Sequence, residues 1–440
     1  MKTHDSSFAR ANAAVRRAMI PVVVFSLAVN LLILTLPIYM LSVFDRVISS
    51  RSYETLLYLT LMACFAMVMM GVFEWLRGRL LVRVGTWWDH HLSPTVFGAI
   101  IAASNLDQRG STRLLNDIQD VRGFLAGGAV VQLLDAPWLP VFLLILWYLH
   151  PLIGLIGLIA TVLLISLAVI NEYATRPHTL RALDNNVRAQ NEAAASLRNN
   201  ETINALGMGN NVVARWMISY VGGLEHSQKG NDVARTMLAS AKTIRLIVQI
   251  AVLGTGAFLV LQREFTAGSM IAGSILLGRA LAPIENAIDT WKQLIGARAA
   301  YDRLNLFFSE YHEPSLQTKL EMPPPRGNLS ASGVVYAYPG TNHAIIRGTT
   351  FEILAGEVIA IIGPSGAGKS TLARLLMGVV APIGGSVRLD GIEIKNWDRE
   401  QLGPYVGYLP QDVELFAGTI AENIGRFSQL DSEAVIEAAK

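Results

Sequence analysis

Eight consecutive residues have the types and order needed to grip a chain of phosphates: Gly363-Pro364-Ser365-Gly366-Ala367-Gly368-Lys369-Ser370. They fit the pattern of a glycine, four free positions, then glycine, lysine and a hydroxyl residue. Glycines let backbone N–H groups converge on phosphate oxygens with no Cβ in the way. Lys369 brings a full positive charge to the β- and γ-phosphates, and the Ser370 hydroxyl can coordinate Mg²⁺. Thr371 opens an apolar run through Leu376 that reads as a helix. Its N-terminus would add a partial positive charge behind the loop. Gly363 to Thr371 are therefore the candidate residues for ATP and Mg²⁺.

The elements around the loop must hold it in place. Val358-Ile359-Ala360-Ile361-Ile362 reads as a buried strand that delivers the chain into Gly363. Val334 to Tyr338, Phe351 to Ile353 and Val387 to Leu389 read as further strands, with Ala355-Gly356-Glu357 and Asp390-Gly391 as turns. Together they predict the opening of an α/β nucleotide-binding domain over 329–440. Before it lies a linker, 311–328, marked by Glu313-Pro314 and Pro323-Pro324-Pro325. Proline-rich connections of this kind are semi-rigid spacers.

The rest of the chain has a different texture. Of 440 residues, 52% are apolar and only 16% charged, against about 25% charged in ordinary soluble domains. A membrane-crossing helix needs about 20 apolar residues, and six stretches suggest spans: 19–43, 55–76, 124–148, 151–172, 243–262 and 265–288. The first is too long for the apolar core of a signal peptide, and no small-residue cleavage site follows it. Pro151 disfavours helix at His150, so the third and fourth spans should form a tight hairpin. Basic residues cluster before the first span, between the second and third, and between the fourth and fifth, while the opposite loops carry only Arg46, Arg51 and Arg263. By the positive-inside rule both termini are cytoplasmic. The inner connections, for example 185–206, are polar but compatible with helix and should extend out of the bilayer. A net charge of +2 gives no sign of nucleic-acid binding, and a single cysteine, Cys64, excludes a disulfide framework.

Three further positions resemble the ABC transporter family. Tyr338 stands 25 residues before Gly363, where the family places an aromatic that stacks on adenine. Gln411, 42 residues after Lys369, resembles the family's Q-loop glutamine, which implies contact with Mg²⁺ and the attacking water. Leu415 to Ile424 resembles the segment that follows that loop. The implied fold is a six-helix exporter-type membrane bundle, 19–310, behind a short cytoplasmic N-terminus, 1–18, and followed by the phosphate-loop domain. Leu36 to Leu41 with Asp45-Arg46-Val47, Asp135 to Pro140, and Asn204 to Gly209 resemble a narrower group, the type I secretion ATPases of the PrtD type. That resemblance implies an inner-membrane homodimer exporting unfolded polypeptides (proteases, lipases or repeat-rich toxins) with a periplasmic membrane-fusion adaptor and an outer-membrane channel. Only 18 residues precede the first span, which leaves no room for the peptidase domain of some relatives. Phe97 to Phe124 and Ile203 to Trp216 are expected to hold short coupling helices.

No signature motif, Walker B strand or catalytic glutamate follows Gln411, so no general base can be assigned. Taken literally, the nucleotide domain is C-terminally truncated and should bind ATP weakly without turning it over. Two alternatives stay open: an exporter of lipids or small molecules, and a nucleotide-binding membrane scaffold. In the sixth span, Arg279 is a candidate lining residue of a translocation path, because ionisable groups at membrane depth face a bundle interior or a wet cavity. Glu285 and Asp289, one turn apart, are expected on a solvated face.

Overall fold

Hydrocarbon offers no partner for backbone N–H and C=O groups, so a spanning segment must satisfy them within itself as a helix. Among the described residues of the computed structural model, six helical stretches are long and apolar enough to cross a bilayer. The structure describes residues 7–102, 108–310, 322–338, 341, 343–411, 413, 415–428 and 431–440. The chain divides into two compact units, Met1–Glu313 and Pro314–Lys440.

In the first unit, the opening stretch is interrupted: α1 (Ser7–Leu32), α2 (Thr35–Ser42), a π-helical turn (Val43–Val47) and α3 (Ile48–Ser50). Arg51, with φ of 53°, ends it. α4 (Tyr53–Ala102) follows, then α5 (Gln108–Ala126). The third stretch is not one helix from 124 but two pieces, α6 (Gly128–Asp135) and α7 (Leu139–Leu149), joined by a 3-10 turn at Ala136–Trp138. Pro137 and Pro140 explain the break, since each removes a backbone donor and crowds the preceding turn. α8 (Pro151–Arg198), α9 (Asn200–Ala205), α10 (Gly209–Leu261) and α11 (Ala267–Glu310) complete the unit.

The α7–α8 hairpin is as tight as the His150-Pro151 pair predicts. His150 is extended, and its Nδ1 accepts the N–H of Leu152. A Cβ on Gly154 would come within 2.7 Å of the Trp147 backbone, so only glycine allows the two helices to start this close. α8 and α10 then run antiparallel: Gly230 of α10 lies against His178, and Gly222 and Gly223 lie against Asn185 and Asn186. Phe142, Leu146, Ile153, Leu164, Leu259, Leu277 and Leu281 close the core among α7, α8, α10 and α11. A second core forms at the other end of α11, where Phe8 stacks on Phe308 at 4.9 Å and packs with Trp88, Leu92, Ile118 and Leu304. The apolar window of α4 is not buried at all. Leu57, Leu61, Phe65 and Val68 point outward, as lipid-facing side chains should.

The second unit contains β1 (Leu329–Ala337), β2 (Ala344–Ile353), α12 (Lys369–Leu376), β3 (Gly384–Leu389), β4 (Ile392–Glu393), α13 (Arg399–Leu402), α14 (Ile420–Ile424) and α15 (Ser432–Ala439). The sheet order is β2-β1-β3-β4, antiparallel throughout, with Leu329 opposite both Ile353 and Leu389. Asp390 and Gly391, with φ of 50° and 83°, make the two-residue turn between β3 and β4. Two positive φ values in succession are what a type I′ hairpin requires.

One expected strand does not form. Residues 358–362 have no strand assignment, and Val358 and Ile362 are 98% and 90% exposed. A strand exists only through the neighbours that pair with it. None of the four described strands pairs with this segment.

Candidate functional site

The phosphate loop keeps its local geometry without that strand. Gly366 and Gly368 have φ of 83° and 89°, a left-handed conformation that a side chain would strain. At Gly368 a Cβ would also meet Ile345 at 2.9 Å. Gly368 is the N-cap of α12, so the N–H groups of Lys369, Ser370 and Thr371 lack acceptors within the helix. Lys369 folds over the loop, donating from Nζ to the carbonyls of Gly363 and Pro364 at 2.8 Å each. Ser370 is exposed at the first turn of the helix. Thr371 is buried, and its Oγ1 lies 3.5 Å from the Tyr338 hydroxyl.

Tyr338 is thereby tied to the loop from outside β1, and its ring remains 45% exposed. Pro364, Ser365 and Ala367 complete the turn, with the Ala367 N–H donating to the Pro364 carbonyl at 3.2 Å. Gln411 lies exposed on a bend and shares no hydrogen bond with Lys369 or Ser370 among the described residues. The segment beyond it is locally built. Thr419 and Glu422 form a capping box on α14, and Asn423 bonds both backbone groups of Phe416, at 2.9 and 3.0 Å. The backbone and side chain of Thr419 hold the Glu422 carboxyl below its ordinary pKa.

The membrane unit holds polar groups whose partners no local pattern reveals. Asp135, at the break in the third span, accepts from Ser26 at 2.7 Å, Asn30 at 2.8 Å and Arg77 at 2.9 Å. Arg77, only 3% exposed, also donates to Ser26 at 3.1 Å. This network pins α6 to α1 and α4, so Asp135 is more than a solvated helix end. Asp45 accepts from the Thr266 hydroxyl at 2.7 Å and the Gly268 N–H at 3.0 Å, which caps α11 from a distant part of the chain. The expectation for Glu285 is corrected: it is 6% exposed and pairs with Arg245 of α10, Nε to Oε2 2.9 Å. α10 covers the face of α11 that sequence spacing alone left open. Asp289 and Arg279 are exposed. Deeper in α11, Arg303 grips Asp117 with two bonds, 2.8 and 2.5 Å. Burial, then the charge of Asp117, raises the pKa of neighbouring Asp120 against the pull of Arg303. α9, with Gly207 at φ of 62° just behind it, is a short helix between α8 and α10 that overlaps the expected coupling region, 203–216, only at 203–205. The other expected coupling region includes residues 103–107, which lie outside the described residues.

Residues 346–440 match the family described as ABC transporter, and 19–281 match its transmembrane region. The chain belongs to the ABC transporter family. This ABC chain is 39% identical over 428 residues to the type I secretion system ATP-binding protein PrsD of Rhizobium meliloti, covering 97% of the chain and 73% of PrsD. It is 27% identical to the α-hemolysin translocation ATP-binding protein HlyB of Escherichia coli O157:H7, with 97% of the chain and 61% of HlyB covered. It therefore spans less than two thirds of the length of HlyB. In fold it is similar to a bacterial Atm1-family ABC exporter, with a TM-score of 0.77 over 97% of the chain and 77% of that structure, at 22% identity.

The loop of this ABC chain fits nucleotide. Gly366 has open space where a Cβ would stand, and the N–H groups of Lys369 to Thr371 are free of helical acceptors at the helix end. Lys369 would move from loop carbonyls to phosphate, and Ser370 would hold Mg²⁺. The metal would neutralise charge on the terminal phosphates.

Proposed function

We propose that the chain is the ATP-driven inner-membrane subunit of a type I protein secretion system, moving unfolded polypeptides out of the cell. The observation that carries this reading is the similarity to PrsD along 97% of the chain, spanning both the membrane unit and the phosphate loop. The six apolar helices support a multi-pass membrane protein. The positive-inside pattern supports cytoplasmic termini. By family, two copies would sandwich ATP and Mg²⁺, with Tyr338 against adenine and Gln411 reaching the metal. A periplasmic adaptor and an outer-membrane channel would complete the path. Arg279, charged and exposed on the sixth span, is a candidate for the translocation lining.

The test is secretion by the native host. Deleting the gene should remove a defined set of proteins from the medium. The wild-type gene should restore them and Lys369→Ala should not, with equal membrane levels of both. An unchanged set of secreted proteins alongside altered outer lipids would overturn the polypeptide reading in favour of lipid export. ATP binding and secretion that both survive Lys369→Ala would overturn the role of the loop.

A further inference from the structure

A cavity of about 220 Å³ opens among α8, α10 and α11 of the membrane unit. Its floor is polar and incompletely satisfied. Asn171 is 1% exposed, yet its Oδ1 has no hydrogen-bond partner. The Trp291 Nε1–H is likewise buried and unpartnered. Buried polar groups in native structures are almost always paired, so two orphans lining one cavity point to a ligand or water. A half-turn of the Asn171 amide can present either its oxygen or its NH₂ group.

The mouth is charged. Arg235 and Lys292 stand there with Asp289, and none of the three has an ion-pair partner among the described residues. The Lys292 ammonium makes one long contact, 3.4 Å, to Asn231. Two cations against one anion leave the opening positive. The position is also informative. Asn171 ends the charge-free run of the fourth span, directly before Glu172. Leu238 and Ile288 line the cavity as well. Arg235 and Lys292 lie about one helical turn further along their helices, about 5 Å beyond those apolar residues. The cavity thus begins at the hydrocarbon edge and extends through the headgroup layer. Basic pockets between spanning helices at that depth suit lipid headgroups.

We propose that this cavity binds the phosphate of a membrane lipid headgroup. Arg235 and Lys292 hold the charge, and the donors of Asn171 and Trp291 complete the contacts. Leu238 and Ile288 meet the glycerol and acyl end.

The full chain in neutral detergent, examined by native mass spectrometry, tests this with three probes: phosphatidylglycerol, the phosphate-free diacylglycerol, and inorganic phosphate. Phosphatidylglycerol should be retained and the other two should not. The double variant R235Q/K292Q should weaken retention about thirtyfold, whereas K229Q, on the same helix outside the cavity, should keep it. D289N should strengthen retention about fivefold, since it removes the one anion at the mouth. Both cations are exposed, so the double variant should keep its fold, and an unchanged thermal midpoint without lipid checks that. Equal retention by wild type and R235Q/K292Q would overturn the site. Retention of inorganic phosphate matching that of phosphatidylglycerol would overturn the lipid assignment in favour of a soluble phosphate. Equal retention of diacylglycerol would show that the acyl chains alone are bound, and would overturn it too.

Discussion

Replacing Asp135 with alanine removes the acceptor for three donors at once. Arg77 would remain buried with Ser26 as its neighbour. Breaking a buried ion pair from one side costs about 3–5 kcal/mol, because it strands a charge. The lower end applies here, since the Ser26 hydroxyl still reaches Arg77. Polar contacts within membrane bundles also tend to be worth less than in water. An expected loss of about 3 kcal/mol corresponds to roughly a 150-fold shift in the unfolding equilibrium. The assay is titration of the detergent-solubilised chain with sodium dodecyl sulfate, followed by tryptophan fluorescence. The decisive comparison is the double variant R77M/D135L. If the stranded charge causes the loss, the double variant should recover to within about 1 kcal/mol of wild type, as apolar replacements of buried pairs often do. A double variant as unstable as D135A would refute the reasoning, and would mean that the hydrogen bonds to Ser26 and Asn30 carry the stability.

Gly268→Ala should destabilise the membrane unit by about 1–3 kcal/mol, because its Cβ would fall 2.6 Å from Asp45 and 2.9 Å from the Leu41 carbonyl; the same detergent titration measures it. In the second unit, burial raises the Asp390 pKa, but the N–H groups of Asn328, Gly327 and Arg326 outweigh it and lower the pKa below the usual carboxylate range. A depressed carboxylate stabilises the folded state above its unfolded pKa, near 4, and that contribution is lost as pH falls through the folded value. Amide exchange at Arg326 to Asn328, corrected for intrinsic rates, should therefore accelerate below about pH 4, and Asp390→Asn should remove the acceleration.

The parts of this fold that were legible are those written into neighbouring residues. The six apolar stretches, the His150-Pro151 hairpin and the Asp390-Gly391 turn depend on composition or on two or three adjacent positions. The glycine pattern of the phosphate loop is local in the same sense. What stayed hidden depends on distant partners. Asp135 meets Arg77 across 58 positions and Ser26 across 109. Asp45 meets Gly268 across 223. Glu285 looks solvated from its own helix and is covered by Arg245 of another. The run 358–362 has the composition of a strand but lacks one here, because pairing is not a property of a segment. Gln411 is recognisable by spacing, yet among the described residues it shares no hydrogen bond with Lys369 or Ser370.

The α7–α8 hairpin bears on how the protein enters the membrane. Only His150 separates Leu149 from Pro151, and it satisfies its own corner by accepting the Leu152 N–H. There is no hydrophilic loop to drag across the bilayer between these helices. The two should therefore partition from the insertion machinery as one unit, already packed at Gly154 and Trp147. Lengthening that corner with charged residues would separate the two helices and undo the joint insertion that the short corner favours.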